Sequence, residues 1–521
     1  MPAKITCDLV DQIKGRVFAL ATDHARSLPH TAYADIRIEV GEGVAAAAEN
    51  GAEKMSVEDY GFSFGIRVLA GADTLAPGYF GQVLGAADLP RLEALLREGL
   101  AHAHQRALVN AREKWAARQR FGSLGESLYS TRLAPIEVHR AVVPARFEVD
   151  PRQVPLAEVT RYVTDVSRAV RDYKSDVKFN FASAITMLTR ELFCSSEGAN
   201  IDQSYALTQG LTYVVATNQQ GNMELYDYVG HQRGWELITQ GVDDGYSHNP
   251  DFHTFSLDLA RTTCELASAP PLKSSDEEVV VVTDPHYNTL LVHEIVGHPT
   301  EADRALKMET AYAGRTWLFK SLDENMVGKR IGSDLVNAFS DPALPGYGHY
   351  EYDHEGTAAR RVVHIEKGVL RGFMNSRQTA GILGAEPNGS YMATDASLVP
   401  LIRMSNTCFD NGSRDPQGII REVERGYYLV GHRIPSIAES RENFRITAQK
   451  VYEIRNGELG QVYKNGGIQA DTQDFLMNVD AVGNDFRLYP IPNCGKGQPM
   501  QTKKLGNGGP TMRSRAKLSG V

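Results

Sequence analysis

The stretch ASAPPLKSSDEE, residues 267–278, divides the 521-residue chain into halves of different grain. Proline, serine and charge cluster there, a mixture that suits neither a helix interior nor a buried strand. A single hydrophobic core stops growing beyond roughly 250–300 residues, so a break at mid-chain is where two domains are expected to meet. Before it, the alternation of YADIRIEV (33–40) and FGIRVLA (64–70) reads as strands. Leu92, Leu95, Leu96, Leu100 and Ala103 recur at helical spacing behind Asp88 as a cap and Pro90 in the first turn. Val159, Tyr162, Val163, Val166 and Val170 mark a second helix over 156–172, and a third is expected near 251–267. After the break, VVVVTD (279–284) has the pattern of a buried strand. Short β-rich runs at 360–374, 444–463 and 474–490 follow it, separated by Gly- and Asn-bearing turns.

The fold class this predicts is α+β. Residues 1–270 form an N-terminal α/β domain. Residues 271–521 form a mostly antiparallel, barrel-like β domain carrying one functional helix. Lys503, Lys504, Arg513, Arg515 and Lys517 lie in Gly-rich surroundings and read as a basic flexible tail.

That helix is LLVHEIVGHPTEAD, 290–303, with Asp284 as its N-cap and Pro285 as its first residue. His293 and His298 are five residues apart. On a regular α-helix residues four apart differ by about 40° around the axis, and residues five apart by about 140°. The two imidazoles converge only if the backbone widens into a π-type turn, or if Gly297 and Pro299 break the helix there. Glu294 follows the first histidine, the arrangement in which a glutamate handles the proton of an attacking water beside a metal. Catalytic zinc takes three protein ligands, so a third is required. Glu301 and Asp303 are candidates on the same element. Cys494, in the glycine-flanked NCGKGQP, is a candidate from far along the chain. His24, His30, His286, His349, His354 and His364 read as structural or solvated.

Composition narrows the function classes. A net charge of −9 disfavours a polyanionic partner, which argues against nucleic acid. No apolar run approaches the roughly 18–20 residues that span a bilayer, and MPAKITCDLVDQIKGRVFAL lacks the apolar centre of a signal peptide. Five scattered cysteines fit a reducing compartment, so the expected location is cytoplasmic and the expected membrane interaction none.

From this helix onward the second half resembles the TldD/PmbA family, specifically its TldD-type subunit. HEIVGHPTEAD resembles the family's HExxxH helix with an acidic pair behind it. Residues 340–380, LGAEPNG (383–389), RMSNT (403–407), VGNDFRLYPIPNCGKGQP (482–499) and GGPTMR (508–513) resemble its later landmarks in the same order. The resemblance implies a cytoplasmic zinc metallopeptidase, with His293, His298 and Cys494 as Zn²⁺ ligands and Glu294 as the catalytic residue. It implies hydrolysis of unfolded or extended peptides, held partly by strand addition, and in some members maturation of ribosomally made peptides. It further implies a heterodimer with a TldE/PmbA-type sister subunit, with a homodimer as the other possibility. One departure stands out. Where the family has a Gly-rich stretch, this chain has VGHRIPSIAESRENFRI (430–446), whose bulky residues change how a peptide lies against the sheet; His432 within it is a candidate oxyanion donor. Two rival readings are a non-catalytic scaffold subunit of a TldD/TldE-like complex and a zinc hydrolase of a non-peptide amide.

Overall fold

A computed structural model describes residues 4–121, 130–311 and 314–520. The alternating run at 33–40 belongs to a longer strand, β1 (Thr31–Glu49), which turns at Asn50 and Gly51 into β2 (Ala52–Ala70). The strands β3 (Ala76–Val83), β4 (Arg140–Val143), β5 (Val177–Ser195), β6 (Asn200–Asn218) and β7 (Gly221–His231) complete the first sheet. Its order is β3-β2-β1-β5-β6-β4, with β7 also on β6, and only the β4–β6 pairing is parallel. The longer helices packed against it are α1 (Leu9–Ala19), α2 (Leu92–Phe121), α3 (Leu156–Asp172) and α4 (Phe252–Ala267). The Leu92, Leu96 and Leu100 stripe of α2 meets Ala34, Ile36, Ile38 and Val40 of β1, alternate residues on one face. The α3 valines cover Val44, Ala46, Ala182 and Ala184 farther along the same sheet. Each such aliphatic side chain contributes about 1.5–3 kcal/mol on full burial.

The second half contributes β8 (Glu278–Thr283), α5 (Pro285–Val292), β9 (Ala338–Ser340), β10 (Val362–Glu366), β11 (Asn406–Phe409), β12 (Arg425–Ile437) and β13 (Asn443–Arg455). It ends with β14 (Gly467–Asp471), β15 (Arg487–Lys496), β16 (Gln501–Gly509) and β17 (Met512–Ser519). Strands β8, β12, β13, β14 and β17 pair in that order, and β17 returns to β8, closing a five-stranded barrel. Only β8 and β12 run parallel within it. A further sheet runs β10-β9-β11-β16-β15. Helix α5 joins the barrel core: Tyr287, Leu290 and Leu291 cluster with Val281, Leu429, Ile446 and Leu518, and the Tyr287 hydroxyl donates to the Ile446 carbonyl at 2.8 Å.

The tail expectation is corrected here. Residues 501–519 form β16 and β17, and β17 is the strand that closes the barrel. Met512, Ser514, Ala516 and Leu518 point inward while Arg515 and Lys517 point out, the period-two pattern of a half-buried strand. Glycine and positive charge masked that alternation. Arg513 is tied to Asp480 at 2.7 Å and to Glu422 at 3.1 Å. The segment at the sequence break is also fixed, since the Lys464 backbone pairs with Pro270 and Leu272. The two halves meet along a buried polar seam, where Arg67 reaches Asp35 at 2.8 Å and Glu355 at 2.6 Å. No helix among the described residues is long and apolar enough to cross a membrane.

Candidate metal centre

Asp284 ends β8 and starts α5. Its carboxylate accepts the Tyr287 N–H at 2.6 Å, a helix cap, and the Gly431 N–H of β12 at 3.0 Å. Burial pushes this carboxyl up to about 7, against the pull of those two donors. After Val292 the helix widens into one π turn, His293–Gly297, continues as a 3-10 turn over His298–Thr300, and ends as Glu301 turns extended. The His298 N–H closes this turn on the His293 carbonyl five residues back. The turn brings the two imidazoles together edge to face, with ring centroids 4.6 Å apart. Of the two backbone departures that would let histidines five apart converge, the chain adopts the π-type widening. The Thr300 hydroxyl donates toward the carbonyls of Val296 (2.8 Å) and Gly297 (3.0 Å). Gly297 is sterically demanded: a Cβ there would lie 2.1 Å from Met404 Sδ.

Cys494 arrives on β15, beyond a register irregularity between Ile491 and Cys494 that re-aims the strand. Its Sγ lies 3.6 Å from His298 Nε2. Among the described residues, His293, His298 and Cys494 form the one group of three whose donor atoms all lie within 4.8 Å of one another. Glu301 and Asp303, the other candidate ligands, face a different way. Glu301 Oε2 meets His298 Nδ1 at 3.1 Å, Arg304 Nε at 2.7 Å and Lys496 Nζ at 3.2 Å. Lys496 also grips Asp303 at 2.7 Å and 2.9 Å and donates to the Ile402 carbonyl. The carboxylates thus form a buried charge cluster beside the His293, His298 and Cys494 group. Glu301 fixes the tautomer of His298, leaving Nε2 directed at the thiol. On the other ring, the Asn507 side-chain amide nitrogen lies 3.2 Å from His293 Nδ1.

The protonation states suit a metal. Burial lowers both imidazoles below the usual histidine range, which keeps them neutral donors. Burial opposes ionising Cys494, but the neighbouring His298 and the Arg403 charge outweigh it and hold the thiol below its ordinary value. Burial likewise works against the Glu301 charge, and Lys496, His298 and Arg304 together still hold it well below the carboxylate range. Two neutral imidazoles and an easily ionised thiol make a borderline-soft donor set that fits a divalent transition metal of the zinc type and leaves a fourth position open.

Glu294 stands beside this group with its side chain 13 % exposed, and Arg441 Nε lies 3.8 Å from its Oε2. His432, the candidate oxyanion donor, is on β12. Its ring packs against His286 at 4.8 Å, and His286 stacks on Tyr489 at 4.4 Å. Burial and the His286 neighbour push His432 down to about 3, so it is neutral. Sequence reasoning missed His286 as a neighbour, although its place two helical turns before His293 put it on the same face. It also missed Lys496, two residues beyond Cys494 on the same strand face. Nothing in the local sequence marked Arg441.

Comparison with known proteins agrees with this architecture. A family model described as the PmbA/TldA metallopeptidase C-terminal domain matches residues 276–516. A protein of Methanothermobacter thermautotrophicus named Metalloprotease is 30% identical over 370 residues, which is 71% of this chain and 75% of that one. A Zinc metalloprotease TldD homolog of Saccharolobus solfataricus is 31% identical over 238 residues, 45% of this chain and 50% of that one. Among solved structures, TldE from Thermococcus kodakarensis superposes with a TM-score of 0.67 at 17% identity, covering 94% of this chain and 97% of that one. A putative modulator of a DNA gyrase from Thermotoga maritima gives 0.70 at 14% identity, covering 98% of this chain and 100% of that one. These two likenesses establish the fold. With the relatives' shared sequence beside it, the conclusion is that this chain belongs to the PmbA/TldD metallopeptidase family.

Proposed function

We propose that the chain is a zinc-dependent peptidase of extended or unfolded peptides, with His293, His298 and Cys494 as the metal ligands and Glu294 as the general base. The observation that carries this reading is the π turn, which directs both imidazoles toward the Cys494 thiol and leaves Glu294 beside them. Bound there, Zn²⁺ supplies Lewis acidity toward a carbonyl oxygen and acidifies water. Glu294 accepts the proton of the attacking water and returns it to the amine as the C–N bond breaks. Glu301 holds the His298 ring in one tautomer, and the buried walls around it exclude bulk solvent from the donors. Beyond Leu429, β12 pairs among the described residues with β13 on one side, so its other edge offers backbone groups to an extended peptide.

The reading extends to a chain of two domains divided at 270/271, working in the cytoplasm and binding no nucleic acid. The likeness to a protein titled TldE supports a heterodimer with a sister subunit of that type, with a second copy of this chain as the other partner. A zinc hydrolase of a non-peptide amide is the competing function. It is favoured by one observation: a register irregularity between His432 and Pro435, together with a proline lacking an N–H, interrupts the open edge of β12.

The deciding experiment incubates the zinc-loaded protein and its Glu294→Gln and Cys494→Ser variants with a library of unstructured peptides, with and without chelator. Chelator-sensitive cleavage by the wild type, a zinc-replete but inactive Glu294→Gln, and a zinc-poor Cys494→Ser are expected. Turnover by Glu294→Gln, or full zinc occupancy in Cys494→Ser, would refute the assigned roles.

A further inference from the structure

Arg441 occupies the tip between β12 and β13 with φ 63°, in the left-handed backbone region that non-glycine residues seldom adopt. The tip is fixed from several sides. The Arg441 N–H donates to the Ala438 carbonyl at 2.9 Å and Trp317 N–H to the Ser440 carbonyl at 3.0 Å. Thr472 binds the Glu442 and Arg441 carbonyls at 2.8 Å and 2.7 Å. A strained residue held in this way is over-determined by its surroundings, a condition that concentrates at functional sites. The result is an Arg441 side chain 4 % exposed, with its Nε 3.8 Å from the Glu294 carboxylate, delivered by the turn that joins β12 to β13. Arg441 is the one charged basic side chain within 4 Å of Glu294 among the described residues.

We infer that Arg441 is a catalytic residue that grips the carbonyl oxygen of the scissile bond as it becomes negative. This rests on the peptidase reading and adds to it a group no ligand motif contains. The charge accounting favours it. At rest the Glu294 carboxylate balances the guanidinium. As the water oxygen bonds to the carbonyl carbon, the π pair moves onto the carbonyl oxygen and the water's proton moves to Glu294. Glu294 becomes neutral at the moment that oxygen becomes anionic, so the positive charge of Arg441 is released from one partner as the other forms. The stabilisation is then larger in the transition state than in the ground state, which is the condition for raising kcat. When C–N cleavage follows, the oxygen regains its double bond, the amine takes the proton from Glu294, and the ion pair is restored. His432, the other candidate for this role, is neutral and packed against His286, whereas a guanidinium keeps its charge at any working pH.

The test compares Arg441→Met and Arg441→Lys with the wild type, each checked for zinc content and for its unfolding transition. The probes are the peptide from the library that the wild type cleaves best and the phosphinic analogue of that peptide, whose tetrahedral anion mimics the oxyanion. For Arg441→Met, kcat should fall by about 10²–10³ and the phosphinic analogue should bind weaker by a similar factor. Zinc occupancy and KM should stay within a few-fold. The intact peptide, titrated into the inactive Glu294→Gln protein with and without Arg441→Met, should bind equally. Arg441→Lys, which keeps the charge and the backbone, should retain the fold and part of the phosphinic affinity, and it decides the matter if Arg441→Met does not fold. Unchanged phosphinic affinity in a folded, zinc-replete variant overturns the assignment, as does equal loss of intact-peptide and phosphinic binding, which would make Arg441 a general binding contact. If the wild type cleaves nothing but still binds zinc, the peptidase reading falls, and this inference falls with it.

Discussion

Replacing Gly297 by alanine adds one methyl group at the centre of the widened turn. That methyl would sit 2.1 Å from Met404 Sδ and 3.2 Å from its Cγ and Cε. Carbon and sulfur atoms in contact prefer separations near 3.5–4.0 Å, so either Met404 or the turn must move by about 1.5 Å. Met404 is fully buried, in the same cluster as Ile295 and Val296. Overpacking of this kind costs about 1–3 kcal/mol, while alanine improves helix propensity over glycine by about 1 kcal/mol. The metal-free protein should therefore lose roughly 0–2 kcal/mol in urea denaturation. The larger effect falls on the metal. His298 is the next residue, and a ligand site tolerates displacements of only about 0.5 Å, so zinc affinity measured by competition with a chromophoric chelator should drop at least about 10-fold. In a Met404→Ala background the obstruction is gone. There Gly297→Ala should become neutral or stabilising by up to about 1 kcal/mol, and zinc affinity should no longer respond to it. Equal effects of Gly297→Ala in the two backgrounds would refute the argument that Met404 is what forces glycine into the turn.

Two further predictions concern buried charge. Lys496→Met leaves Asp303 and Glu301 short of their shared cation, and the cost in urea denaturation of the metal-free protein should be about 3–5 kcal/mol; a loss below 1 kcal/mol would mean the cluster is solvated. Asp284 has its folded pKa raised to about 7 from an ordinary 3.8. Between these values the native state holds a proton that the unfolded state has lost, so its contribution to stability falls as pH rises and levels off above the folded value. Asp284→Asn keeps an oxygen for the Tyr287 and Gly431 N–H groups and removes the titration. From pH 5 to 7 the variant should therefore gain on the wild type by about 1.4 kcal/mol per unit. A difference that stays flat with pH would show that the carboxyl is ionised throughout.

Much of the scaffold was legible because it is written between sequence neighbours. The valine stripe at 156–172 gave α3, the Pro285 and Asp284 pair gave the start of α5, and the run at 279–284 gave β8. The geometry of the centre was partly legible as well. Two histidines five apart, the second inside a Gly-His-Pro step, admit few backbone solutions, and the π turn is one of them. The misreadings have a common origin. At 503–517 the eye fell on charge and glycine, while the strand signal was the alternation of Met512, Ser514, Ala516 and Leu518.

What the sequence determined by itself was the helix, its required irregularity and the chemical types able to serve a metal, because periodicity, caps and steric exclusion act over a few residues. Tertiary structure alone decided which third donor meets the imidazoles, that Glu301 and Asp303 are turned toward Lys496, and that Arg441 faces Glu294. Those pairings join positions 147 to 196 residues apart in the chain through sheet register, a strand irregularity before Cys494 and the closure of a barrel by its last strand. A single slip of register in β15 would send Cys494 and Lys496 to the opposite face, and no local preference records which register wins.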